Sequence, residues 1–115
     1  MSQFSGKTAV ISGGAEGIGL SIAKALGDQK MNIVLADIDQ EKLQEASLEL
    51  KDAGISVLAV ALDVANETQW QRVAELAVTR FGKIHMVVNN AGVGGASGSI
   101  ENEQTKSWHW ALDVN

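Results

Sequence analysis

Short apolar runs alternate with stretches of helical periodicity along the whole chain, which is how repeated strand–helix–strand units of a parallel sheet look in sequence. The first run, Thr8 to Ser12, is rich in β-branched residues and passes directly into glycines, so it reads as a buried strand. From Gly17 to about Gln29, Ile18, Ile22, Ala25 and Leu26 fall at helical spacing. A second strand covers Asn32 to Ala36 and ends at Asp37. Asp39 is placed to cap a helix whose Leu43, Ala46 and Leu50 share a face, and Gly54 stands where a left-handed glycine would end it. A third strand runs from Ser56 to Leu62. Asn66 and Gln69 form a capping-box-like start to the next helix, with Trp70, Val73, Ala74, Ala77, Val78 and Phe81 on one stripe and Gly82 at its end. Trp70 and Phe81 on such a stripe read as core packing. A fourth strand, Ile84 to Val88, leads into Asn89-Asn90-Ala91-Gly92. Val93 to Asn102, rich in Gly and Ser, reads as a mobile loop, and a last helical stretch begins near Thr105.

Composition narrows the functions open to such a sheet. With 115 residues the chain can bury roughly two-thirds of its unfolded surface, enough for one domain with a real core. A net charge of −5 removes the attraction to phosphate backbones and anionic lipid headgroups, so nucleic acid and membrane are not expected partners. There is no cysteine, hence no disulfide, thiolate metal site or Cys nucleophile. The N-terminus has one Lys before a short apolar run, too short for a signal peptide, and the expected location is the cytoplasm.

The chemistry-bearing segment is Ser12-Gly13-Gly14-Ala15-Glu16-Gly17-Ile18-Gly19, between the first strand and the first helix. A pyrophosphate needs backbone N–H groups and a helix N-terminus aimed at it, and side chains in the turn would hold the anion away. The glycine spacing is G-x-x-x-G-x-G, a weak pattern alone and a specific one after a buried strand. Asp37 ends strand two, 18 residues after Gly19, where a carboxylate can accept the hydroxyls of an adenosine ribose. Glu16 and Asp37 would both repel a 2′-phosphate, with no Arg or Lys expected beside them, so NAD is preferred over NADP.

Ser12-Gly13-x-x-x-Gly17-Ile18-Gly19 together with Asn89-Asn90-Ala91-Gly92 resembles the short-chain dehydrogenase/reductase family, in which T-G-x-x-x-G-I-G and N-N-A-G recur on strands one and four. The resemblance covers the whole chain, Ser12 replacing the usual Thr. It implies a Rossmann-type α/β fold, three layers α/β/α, with parallel strand order 3-2-1-4 and helices on both faces, present as a partial dinucleotide-binding domain over residues 1–115. It also implies that Gly13, Gly17, Ile18 and Gly19 line the pyrophosphate and nicotinamide ribose. Asp37 would bind the adenosine ribose, Asp63 and Val64 the adenine, and Asn90, Ala91 and Gly92 would bring backbone against the cofactor. Asn115 matches the helix Asn of the family's Asn-Ser-Tyr-Lys set. Where the family usually has Gly-Ala between helix one and strand two, this chain has Lys30-Met31; a left-handed Lys costs about 1 kcal/mol relative to Gly, and Gly27 and Asn32 offer alternative positions for the turn.

The resemblance implies an NAD-dependent oxidoreductase acting on an alcohol or ketone, in which a Tyr assisted by a Lys passes the proton. The chain contains no Tyr. His85 precedes a buried strand and His109 lies beside Trp108, so both read as structural, and Ser97, Ser99 and Ser107 have no base at useful spacing. The 115 residues by themselves are therefore expected to bind NAD weakly and to turn nothing over. The alternative is a non-catalytic nucleotide-binding or scaffold protein; an S-adenosylmethionine-dependent transferase is disfavoured because Asn-Asn-Ala-Gly has no role there. Strand four, left as a sheet edge, or the helix faces would favour self-association.

Overall fold

The computed structural model describes residues 3–90. They form β1 (Thr8–Ser12), α1 (Gly17–Asp28), β2 (Asn32–Asp37), α2 (Gln40–Asp52), β3 (Val57–Ala61), α3 (Glu67–Phe81) and β4 (Met86–Asn89). The strands make one parallel sheet in the order β3-β2-β1-β4. Successive side chains of β1 point to opposite faces. Ala9 and Ile11 join Ile33, Leu35, Ala23, Leu43 and Leu50 under α1 and α2, while Val10 joins Val34, Val60, Val73 and Ala77 under α3. That is the expected three-layer sandwich. Both inner strands are covered on both sides, which is why all of β1 and the centre of β2 are buried and read as continuous apolar runs. At the edge, β3 buries Val57 and Val60 and exposes Ala59 and Ala61.

The helices differ from their sequence patterns in instructive ways. The buried residues of α1 are Gly19, Ala23 and Gly27; of the expected set Ile18, Ile22, Ala25 and Leu26, Ala25 is exposed and Ile18 is 68% exposed. Small residues are needed because the helix approaches so closely that a Cβ on Gly27 would sit 2.8 Å from Ile55 Cγ1. Ile22 and Leu26 then pack from the flanks of this seam. On α3 the buried positions are Val73 and Ala77, with Val78 turned 47% outward and Leu76 packed in its place.

Two helices end alike. In α1 the N–H of Lys30 donates to Gly27 O and that of Met31 to Leu26 O; in α2 Gly54 and Ile55 repeat the pattern on Lys51 and Leu50. Both need a left-handed residue, and the angle φ is 83° at Gly54 but 70° at Lys30. The turn is therefore not relocated to Gly27 or Asn32, and Lys30 bears the cost of about 1 kcal/mol. A lateral ion pair, Lys24–Glu49, joins the two helices.

Strand β4 starts at Met86 rather than Ile84, for a reason lodged in His85. Its N–H donates to Thr8 O at 2.9 Å, and its Nδ1 accepts from the N–H of Thr8 at 3.0 Å, so a ring nitrogen replaces the backbone carbonyl that would otherwise pair there. Accepting requires an unprotonated Nδ1. Burial, then the neighbouring charges of Lys83 and Lys7, holds the imidazole below its usual pKa of 6.5. The folded chain thus binds fewer protons than the unfolded one below that value. Stability from this source is complete above pH 6.5 and declines as the pH falls through it. Denaturation midpoints at about pH 7.5 and about pH 5.5 should show the loss, and His85→Gln should flatten it. An unchanged slope in the variant would assign the loss to other groups.

The loop expected from Val93, the helix expected near Thr105, and the site positions Ala91, Gly92 and Asn115 lie outside the described residues.

Candidate functional site

All four strands point the same way, so their carboxyl ends share one edge, with Gly13 after β1, Asp37 ending β2, Asp63 after β3 and Asn90 after β4. α1 and α2 pack on one face of the sheet, and α3, which leads from β3 into β4, on the other. A crevice lies at the carboxyl edge, the place where ligands bind on open α/β sheets.

The turn after β1 is held by contacts that only glycine permits. Gly13 has φ 65° and accepts through its carbonyl from Asn90 Nδ2 at 3.2 Å. A Cβ on Gly19 would overlap that same carbonyl oxygen and lie 2.9 Å from Asn90 Nδ2. Below it, Ser12 Oγ bonds Asn89 Oδ1 at 2.8 Å, so β1 and β4 are tied side chain to side chain at the floor of the crevice. Ser12 in place of Thr keeps the hydroxyl this tie requires. Asp39 and Asn66 cap α2 and α3 through their side chains, whereas Glu16 at the start of α1 makes no such bond. The amides opening α1 are thereby left without a side-chain cap, beside the exposed Ile18.

Asp37 faces this turn. Its Oδ2 accepts from Ala15 N at 3.1 Å and its Oδ1 from Asp39 N at 3.0 Å. Each carboxylate oxygen has a second lone pair, so both can still accept from a ligand. Gly13, Asp37, Ile38, Leu62, Asp63 and Val64 line a cleft of about 150 Å³. Ile38 (70% exposed) and Val64 (36%) present apolar surface at its mouth. Asp63 bends its own turn by accepting from Ala65 N at 3.0 Å. Gln69 Oε1 accepts from Asp63 N at 2.7 Å, and Trp70 Nε1 donates to Val64 O at 2.9 Å. Gln69 therefore does not close a reciprocal capping box with Asn66; Asn66 caps Gln69 N, and the amide side chain is diverted to shape the cleft wall.

Of the positions expected from sequence, Gly13, Asp37, Asp63 and Val64 line one cleft, and Gly19 and Asn90 meet Gly13. Gly17 and Ile18 open α1 at its side. Sequence reading missed Ile38 and Leu62. The signal for Ile38 was present: a large apolar residue between a strand-ending Asp and a capping Asp has no core to enter. It also missed Lys42. The sequence expectation left Glu16 without a cation nearby, but Lys42 Nζ lies 2.6 Å from Glu16 Oε2. The two are 26 residues apart, and that separation hides the pair from any local reading. Among the described residues no group of three His, Cys, Asp or Glu could hold a metal, and no helix is long and apolar enough to cross a membrane.

A parallel sheet with a glycine turn at its carboxyl edge belongs to the Rossmann class of α/β folds. Residues 7–115 match the short chain dehydrogenase family, and the chain belongs to the short-chain dehydrogenase/reductases. It is 40% identical over 110 residues to the 3-alpha-(or 20-beta)-hydroxysteroid dehydrogenase of Mycobacterium bovis, covering 96% of this chain and 41% of that protein. A short chain dehydrogenase/reductase from Burkholderia phymatum, solved in complex with NAD, matches with a TM-score of 0.73 and 39% identity over 76% of this chain and 31% of that one. L-Sorbose reductase from Gluconobacter frateurii, solved with NADPH and L-sorbose, matches with a TM-score of 0.75 and 34% identity over 95% of this chain and 44% of that one. The chain spans about 40% of the length of the curated relatives it matches.

Proposed function

We propose that these residues are the NAD-binding part of a cytoplasmic oxidoreductase that interconverts an alcohol and a ketone. The observation that carries this reading is the bond from Ala15 N to Asp37 Oδ2, which fastens a ribose-binding acid to the glycine turn as one preformed unit. A dinucleotide fits the residues present. The missing Cβ at Gly19 keeps the turn open at its base, the uncapped amides of α1 suit a diphosphate, and Asp37 retains lone pairs for two ribose hydroxyls. Ile38 and Val64 supply apolar walls for an adenine, and Asp63 an acceptor at its edge. Ala91, Gly92 and Asn115 keep the roles that the family resemblance gives them, the first two against the cofactor and Asn115 in the catalytic set. When bound, the nicotinamide supplies the hydride acceptor or donor; this chain's described residues hold and orient it.

The similar structures carry NAD in one case and NADPH in another, so the choice of cofactor rests on this chain's own charges. Glu16, Asp37 and Asp39 gather near the ribose end, and a 2′-phosphate there would be repelled. Titrating the chain with NAD and with NADP, followed by tryptophan fluorescence, should give binding at least about tenfold tighter for NAD. Equal affinities would overturn the NAD assignment, and no binding of either would overturn the cofactor reading. With no Tyr among the 115 residues, no turnover is expected from them alone. Among the described residues β4 pairs only with β1, and self-association through its other edge belongs to the same proposal; light scattering of the titrated sample reads it, and a monomer refutes it.

A further inference from the structure

Lys42 occupies a place where local energetics disfavour a cation. It lies in the first turn of α2, three residues after the Asp39 cap, where the positive end of the helix dipole repels it. Its side chain reaches Glu16, in the glycine turn, at 2.6 Å. Glu16 in turn leaves the start of α1 uncapped. Each residue thus forgoes its ordinary local partner for the other. The pair also sits among acids: Asp37 is fastened to Ala15, the residue before Glu16, and to Asp39, the residue that caps Lys42's own amide. Three carboxylates and one ammonium therefore surround the ribose-binding position.

We infer that Glu16 and Lys42 form a specificity latch, in which Glu16 sequesters a cation that could otherwise serve a 2′-phosphate and so makes the site discriminate against NADP. The inference rests on the NAD-binding reading and adds a residue that sequence motifs do not mark. It explains why a lysine so placed does not turn the site toward NADP: its charge is already engaged, and the remaining Asp37 and Asp39 leave the cleft net acidic. The hydrogen bond to Glu16, then its charge, raises the Lys42 pKa above its ordinary value. A lysine is an ammonium at neutral pH without that help, so once Glu16 is neutralised Lys42 is released as a charged phosphate partner.

The test is a binding cycle on the chain with NAD and NADP as probes, using Glu16→Gln, Lys42→Met and the double variant. Both side chains are about half exposed, so folding should survive, and circular dichroism melts check that it does. In Glu16→Gln the NADP-to-NAD affinity ratio should rise about tenfold, because a charge-assisted contact to phosphate replaces a repulsion. The gain should shrink as salt is added. In Lys42→Met the ratio should fall below that of the parent, since Glu16 is then unneutralised. The double variant should lose most of the gain. A ratio unmoved in Glu16→Gln, or raised equally with and without Lys42, overturns the latch while leaving NAD binding intact; a parent chain that binds neither nucleotide overturns the cofactor reading beneath it.

Discussion

Gly19→Ala should destabilise the chain and weaken dinucleotide binding together. An alanine in a helix ordinarily gains up to about 1 kcal/mol over glycine, so the sign of this substitution depends on what the new methyl meets. Here it meets the Gly13 carbonyl in overlap, the Gly13 carbonyl carbon at 2.8 Å and Asn90 Nδ2 at 2.9 Å. Backbone cannot swing aside as a flexible side chain can. Overpacking of this kind costs about 1–3 kcal/mol or more, so a net loss of about 2 kcal/mol is expected. The turn must shift to relieve it, and shifting breaks the Asn90–Gly13 bond that closes the crevice floor. Loss of NAD affinity by about a hundredfold should follow, because a displaced turn no longer presents its amides to the diphosphate. Gly54→Ala is the matching control: its φ of 83° strains alanine, but nothing lies within 4 Å of the added methyl. It should cost about 1 kcal/mol and leave binding alone. If Gly19→Ala melts and binds like the parent, the close approach of α1 to the turn is not what shapes the site.

That contrast bears on what a sequence can disclose. The strands β1 and β2 were legible because burial on both faces forces unbroken apolar runs, and α2 and α3 because Asp39 and Asn66 are capping residues whose bonds are local. That Gly13, Asp37 and Asp63 line one cleft was legible because they follow strands at positions where a core has no use for Gly or Asp. The seam of α1 was half-read: Ile22 and Leu26 do pack on the core, but hydrophobic periodicity seeks large residues and the most buried positions of this helix are Gly19, Ala23 and Gly27. Close approach is written in small residues, and these carry no hydropathy signal. The role of Gln69 was half-read: the spacing to Asn66 is that of a capping box, but the stronger local need was the unpaired amide of Asp63. Lys42 was invisible because its partner lies on another element.

Asp37→Ala should separate the structural task of the parent residue from the ribose binding proposed for it. Ala15 is buried, at 5% exposure, and its N–H would lose its acceptor, at a cost of about 1–3 kcal/mol. Asp39 is exposed, so its freed N–H turns to water at little cost. The other task is the recognition proposed for Asp37. If the carboxylate accepts ribose hydroxyls, its removal forfeits charge-assisted bonds, and NAD affinity should fall about a hundredfold. NADP should lose less, because the same change removes a repulsion. Asp37→Asn sharpens the distinction: its oxygen can still accept from Ala15, restoring stability, while its lost charge still weakens ribose binding and narrows the gap between NAD and NADP. Melting curves and fluorescence titrations of both variants therefore move independently if Asp37 binds the sugar. Should Asp37→Ala melt early yet bind NAD as the parent does, the acid is a brace for the glycine turn and the ribose contact belongs elsewhere.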